Sequence, residues 1–187
     1  RAYLDVNLTA LVSNLNYYRS KIKEQTKIMV MVKAFAYGSG IEEVANILQY
    51  NRVDYLAVAY ADEGVRLRKK GINIPIMVMN PDKSDFENLF KYNLEPEIYS
   101  LKLLQDWVNN DVAKKSKIHL KIDTGMNRLG FLENEIQYLV DTIINQPEVY
   151  VKGIFSHLAA ADDIKEDDFT NKQIKLFYKI SNKIEAS

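Results

Sequence analysis

Short apolar runs alternate with segments of helical periodicity along this chain, and this alternation limits the fold more than any other sequence feature. Six runs have strand character, at residues 28–33, 53–59, 74–79, 94–98, 117–123 and 149–157. Each is followed by a segment whose apolar residues recur every three or four positions, as in an amphipathic helix. Regular alternation of strands and helices predicts an α/β fold with a parallel sheet.

The regular spacing of these units favours a (β/α)8 TIM-type barrel over a doubly wound sheet. Eight units need roughly 250 residues, so a chain of 187 residues would supply about six of them. An open flavodoxin-like sheet is the alternative. Residues 2–8 alternate like a further, leading strand. Because the chain starts with Arg1 and ends within a helix-period pattern, we expect a fragment of a longer protein.

Charge and residue content argue against several classes of function. The chain has 25 basic and 25 acidic residues, whereas binding to nucleic acid or a membrane surface needs a basic excess. It has no cysteine, so disulfides are excluded and a reducing compartment is compatible. With His119 and His157 as the only histidines, no metal site is expected. No apolar run approaches the roughly 20 residues that cross a bilayer.

Lys33 stands out because it ends the first strand run and is followed by residues 34–40, AFAYGSG. Five consecutive apolar residues before it predict a strand that is buried on both faces. Burial favours the neutral form of an amine, which is the form that attacks carbonyl compounds. The glycines let the backbone approach a ligand closely. A solvent-directed lysine before a glycine loop is the simpler interpretation.

Two further polar clusters follow strand runs. Residues 121–131 read KIDTGMNRLGF, and alternation places Lys121 and Asp123 on one face of the strand. A structural ion pair between them is one interpretation. Arg128, in a glycine-flanked loop, suits recognition of a carboxylate or an oxyanion, although a solvated charge would look the same. His157 ends the last strand run. Active sites of barrels lie at the carboxyl ends of the strands, where these residues fall.

Together the three clusters resemble the signatures of alanine racemases, in the order and at the spacing of that family. The segment KAFAYG at Lys33 resembles the pyridoxal-phosphate attachment motif. The segment KIDTGMNRLG at Lys121 resembles the second signature, and Ser156-His157 with the following Ala and Asp residues resembles the third. The resemblance covers essentially the whole chain. It implies one incomplete barrel domain over residues 1–187 that binds pyridoxal 5'-phosphate.

The resemblance also implies roles for the site residues. Lys33 would hold the cofactor as an aldimine and act as the base on the α-carbon face used with D-alanine. Tyr37 would reach the cofactor phosphate, and His157 would lie against the pyridine ring. Arg128 would bond the phenolic oxygen and lie near the substrate carboxylate. Lys121 matches a lysine that is often carbamylated, while Asp123 and Met126 would support the site.

The implied activity is interconversion of L- and D-alanine, with serine as a plausible second substrate, to supply D-alanine for peptidoglycan in the cytoplasm. The family's opposite-face tyrosine, its arginine at the pyridine nitrogen and most phosphate contacts have no counterpart here. That tyrosine comes from the C-terminal β domain of the partner in a homodimer, the domain into which residues 2–8 would pack. The family usually has asparagine where Phe35 stands and often histidine where Ser39 stands.

Three alternatives stay open at this point. The chain could belong to another barrel pyridoxal-phosphate protein, such as a fold-type III decarboxylase or a cofactor-homeostasis protein. It could be a barrel-derived module without catalysis. The parent could also be a bifunctional UDP-N-acetylmuramoyl-tripeptide–D-alanyl-D-alanine ligase/alanine racemase, an idea compatible with Phe35 and with the missing start methionine.

Overall fold

The computed structural model describes residues 2–111 and 117–186 and divides the chain into two compact units. The first unit comprises the chain up to Pro81 together with Lys91–Leu94, and the second comprises Asp82–Phe90 and the chain from Glu95 onward. No helix in the described ranges is both long and apolar enough to span a bilayer.

The first unit is a three-stranded parallel sheet with helices between its strands. β2 is central, pairing with β1 through Val30 and Leu56 and with β3 through Ala57 and Met77. All four β2 residues are buried, as expected for a strand covered on both faces. The elements in chain order are α1 (Leu8–Arg19), β1 (Met29–Met31), α2 (Lys33–Tyr37), α3 (Ile41–Tyr50), β2 (Tyr55–Val58), α4 (Ala61–Lys69) and β3 (Ile76–Val78).

The second unit repeats this pattern with three further parallel strands. β5 pairs with β4 through His119 and Glu97, and with β6 through Lys121 and Phe155. The register of β5 against β6 shifts once, between Ile118 and His119. The elements are α5 (Phe86–Lys91), β4 (Glu95–Ile98), α6 (Leu101–Val108), β5 (Lys117–Lys121), α7 (Ile136–Ile144), β6 (Tyr150–Phe155) and α8 (Asp167–Glu185), with 3₁₀ turns at Lys83–Asp85, Glu133–Glu135 and Ile164–Glu166.

All six predicted strands are confirmed, each shorter than its apolar run, whereas the leading strand is not formed in the described chain, and its packing into a C-terminal β domain stays a prediction. Residues 2–7 have no regular structure and are exposed. Asn7 instead starts α1, where its Oδ1 accepts a hydrogen bond from Ala10 N at 3.0 Å. Alternation alone does not make a strand, because a strand needs a neighbouring edge to satisfy its backbone groups. Within the described ranges no strand pairs with this segment.

The prediction that the first strand, β1, is buried on both faces is wrong. Met29 is exposed, and Val30 and Met31 are only half-buried. Burial becomes complete at Val32, directly before Lys33. Within the described ranges β1 pairs on one side only, with β2, which leaves its side chains less covered than those of the central strand.

Candidate functional site

Lys33 begins a single helical turn in which the backbone is left-handed. Ala34, Phe35, Ala36 and Tyr37 have φ between 51° and 60°, and Gly38 continues with φ 88°. L-residues usually enter this region singly, at a cost of roughly 1–2 kcal/mol each. Four in succession store strain of the kind that clusters at functional sites and persists only where the surroundings enforce it.

Glu63 of α4 supplies part of that enforcement. Its Oε1 accepts a hydrogen bond from Ala34 N at 2.7 Å, and its Oε2 accepts one from Ala59 N at 2.7 Å. One carboxylate therefore ties the segment after β1 to the segment after β2. Sequence reasoning did not assign Glu63. The available signal was an acidic residue in the first turn of a helix that directly follows a strand.

The structure gives Phe35 a contact that accounts for an aromatic residue at this position. The guanidinium carbon of Arg66 lies 4.6 Å from the centroid of the Phe35 ring. The Arg66 Nε also donates to Glu42 Oε1 at 2.8 Å. A guanidinium stacked on an aromatic face is attracted by the ring quadrupole, so the contact with Arg66 stabilises the position of the Phe35 ring.

Lys33 itself is half-buried rather than buried. Across the described chain its Nζ has no hydrogen-bond or ion-pair partner. The side chain of Tyr37 is 66% exposed, so its hydroxyl is accessible on the same turn. An amine without a carboxylate partner is available to react with a carbonyl compound.

In the second unit, the loop after β5 folds back onto its own strand. Asp123 Oδ1 accepts hydrogen bonds from Gly125 N at 2.8 Å and Asn127 N at 3.1 Å. Phe131 N donates to Lys121 O at 2.9 Å, and Asp123 N donates to Phe131 O at 3.0 Å. The predicted ion pair of Asp123 with Lys121 is therefore not formed. Asp123 instead stabilises the loop that carries Arg128 by accepting hydrogen bonds from the loop backbone.

Gly130→Ala is expected to disrupt this loop. Gly130 has φ +128°, and an added Cβ would lie 2.5 Å from Asp123 N and 2.7 Å from the Ile122 carbonyl carbon. Strain and a backbone clash together predict a loss of unfolding free energy on the order of 2–3 kcal/mol, measured by urea titration. Gly71→Ala is the matched control, because Gly71 has φ +85° but open space around it. Equal losses in the two variants would contradict the clash.

Five predicted site residues of the second unit line one shallow surface cleft, which encloses no cavity large enough for a water molecule. Arg128 and His157 are exposed at the cleft, Asp123 and Met126 are half-buried, and Lys121 is buried at its base. The structure thus brings together the strand-end residues of β5 and β6. The roles of these residues, and the predicted convergence of Lys33 with them, stay predictions. The five residues are Lys121, Asp123, Met126, Arg128 and His157.

Gln173 of α8 holds the two loops of this cleft together. Its buried side-chain amide donates to Thr124 Oγ1 at 3.2 Å and to His157 O at 3.1 Å. Its Oε1 accepts from Ala159 N at 3.0 Å. Because a buried amide with satisfied partners fixes local geometry, Gln173 positions the backbone of His157. The sequence places Gln173 in the apolar stripe of this helix, and a polar residue at such a position was the available signal.

Lys121 pairs with Glu97 of β4, a residue that sequence reasoning did not assign. Lys121 Nζ lies 3.2 Å from Glu97 Oε1, and both side chains are almost completely buried. Burial raises the pKa of Glu97 to about 7, although the positive charges of Lys121 and Arg128 act in the opposite direction. Desolvation therefore outweighs the attraction of two cations at this carboxyl.

Parallel strand–helix units with polar side chains at the carboxyl ends of the strands define a (β/α)8 TIM-type barrel protein, six of whose units are present here. A family model described as "Alanine racemase, N-terminal domain" matches residues 6–187. The chain belongs to this family, which decides against the open flavodoxin-like sheet.

Similar proteins agree with this assignment. The chain is 40% identical to an amino-acid racemase of Enterococcus faecalis, over 96% of the chain and 25% of that protein. It is 37% identical to an alanine racemase of Clostridium tetani, over 98% of the chain and 48% of that protein. A solved alanine racemase of Clostridium difficile 630 matches with TM-score 0.88 and 34% identity, over 97% of the chain and 51% of that structure. The chain thus spans a quarter to about half of the length of these proteins.

Proposed function

We propose that this chain is the pyridoxal-phosphate-binding part of an amino-acid racemase that interconverts L- and D-alanine. The observation that carries the proposal is the amine of Lys33, which has no partner among the described residues and begins a strained left-handed turn just after β1. A half-buried amine at the carboxyl end of a barrel strand lies where such enzymes hold their reactive groups. Membership of the alanine racemase family supports the assignment.

Each of the two compact units contains residues suited to binding pyridoxal 5'-phosphate. Lys33 has a free amine for covalent attachment, and Tyr37 has an accessible hydroxyl for the phosphate. When bound, the cofactor supplies the electron sink that stabilises negative charge at the α-carbon. Lys33 then takes or returns the proton on one face of that carbon. At the cleft, Arg128 would bind an anionic oxygen of the cofactor and the substrate carboxylate, and His157 would contact the ring.

Removal and return of a proton on opposite faces need two bases, and this chain supplies Lys33 for one face. We propose that the second base, a tyrosine, and further cofactor contacts come from a longer polypeptide that acts as a homodimer. The chain's share of its relatives' length, about half in the Clostridium tetani enzyme, supports this. Cytoplasmic location and supply of D-alanine for peptidoglycan belong to the same proposal.

Alanine is the proposed substrate, with serine second. One relative, 38% identical over 96% of the chain, is a serine/alanine racemase of Enterococcus gallinarum. The test is chiral chromatography of L-alanine, L-serine, L-ornithine and diaminopimelate after incubation with the parent protein and pyridoxal phosphate. We expect D-alanine to form with the parent and negligible D-alanine with residues 1–187 alone. Decarboxylation of ornithine or diaminopimelate without alanine turnover would overturn the proposal.

A further inference from the structure

The inference concerns the buried pair of Glu97 and Lys121, at adjacent strand ends of the second unit. The side chains of Lys121 and Glu97 are 5% and 0% exposed, and 3.2 Å separates Nζ from Oε1. Both oxygens of Glu97 lack a hydrogen bond of good geometry from any described residue. The carboxylate is therefore stabilised by electrostatic attraction rather than by hydrogen bonds, and its ion-pair partner is the ammonium of Lys121.

This arrangement opposes the carbamylation that the family resemblance implied for Lys121. Carbamylation joins a neutral amine to carbon dioxide. A nitrogen–carbon bond forms, a carbon–oxygen π pair moves onto oxygen, and the nitrogen releases a proton to solvent. As an ammonium, Lys121 pairs with Glu97 across 3.2 Å and has no lone pair with which to attack. The product would also place a second anion beside Glu97 in a buried site, where like charges repel strongly.

We propose that Lys121 is an unmodified ammonium whose counter-ion above neutral pH is the carboxylate of Glu97. Glu97, on β4, pairs with Lys121 at the end of β5. The positive charge of Arg128, in the loop after β5, also acts on Glu97. Tyr99 directly follows β4, and its pKa is raised by burial and then by the charge of Glu97. Glu97 thus places an anion beside Lys121 without a covalent modification. The inference rests on the proposed function only for the use of this cleft in catalysis.

The test is ¹³C nuclear magnetic resonance of the purified full chain in ¹³C-bicarbonate at pH 8, where Glu97 is ionised. We expect no carbamate signal above the background set by Lys121→Arg. In Glu97→Gln the amine loses its anionic partner, so a stoichiometric signal is expected, and it should vanish in the double variant with Lys121→Arg. Glu95→Gln is the matched control, since it removes a buried carboxylate that pairs with His119 rather than with Lys121.

Two outcomes would overturn the inference. One is a carbamate signal in the unaltered chain that is lost in Lys121→Arg, a comparison that does not depend on whether Glu97→Gln folds. The other is a folded Glu97→Gln variant, verified by circular dichroism, that shows no signal. Neither readout uses racemisation. If the signals are as expected but the parent protein does not racemise alanine, the proposed function is wrong and this inference still holds.

Discussion

Lys33→Ala abolishes covalent attachment of pyridoxal phosphate and leaves the stability of the chain almost unchanged. The amine has no described partner to lose, so the change in unfolding free energy should stay within about 0.5 kcal/mol. Lys121 does not substitute for it, because its ammonium is committed to Glu97. In the parent enzyme, loss of the attachment group and of one base is expected to lower alanine turnover on the order of 10³-fold or more.

The measurement is the visible absorbance of bound pyridoxal phosphate, followed by borohydride reduction and peptide mapping. The unaltered chain should carry one stable label, on Lys33. Lys27→Ala is the matched control, because Lys27 is an exposed lysine just before β1. That variant should label like the unaltered chain. A reduced label on any other lysine, or undiminished labelling of Lys33→Ala, would contradict the assignment of Lys33.

Apolar periodicity was enough to predict the strands, because buried segments must be apolar whatever their neighbours are. It gave the positions of β1 to β6 and therefore placed Lys33, Asp123 and His157 at or just beyond strand ends. It does not decide the structure of residues 2–8, where the pattern is strand-like but the described ranges offer no edge to pair with. A strand depends on its partner as well as on its own sequence.

The site was predictable where a residue acts alone and was not where it acts through a partner. Lys33 and Arg128 could be recognised because each is a cationic residue at or just after the end of a predicted strand, next to glycines. The partner of Lys121 depended on the register of β4 against β5, and Glu97 lies 24 positions away along the chain. The left-handed turn at Ala34–Tyr37 was equally hidden, because none of these residues favours positive φ by itself. It depends on surroundings such as Glu63.

Glu97→Gln is expected to remove part of the dependence of the unfolding free energy on pH. Burial raises the pKa of Glu97 from an ordinary value of 4.5 to about 7. Between these values the folded protein keeps a proton that the unfolded chain has released. The contribution of Glu97 is therefore complete below pH 4.5 and declines as pH rises through 7. For a carboxyl with this shift, linkage gives a loss of roughly 2–3 kcal/mol between pH 5 and pH 8.

Glutamine keeps the shape of the side chain and removes its titration, so Glu97→Gln should lack this loss. Urea unfolding at pH 5 and pH 8 measures it. The unaltered chain should lose roughly 2–3 kcal/mol relative to the variant over this interval. Glu133→Gln is the control, because its pair with Lys179 is exposed and contributes less than about 1 kcal/mol at either pH. If the difference between Glu97→Gln and the unaltered chain is the same at both pH values, then the ion pair with Lys121 outweighs the cost of desolvation, and Glu97 is a carboxylate throughout this range.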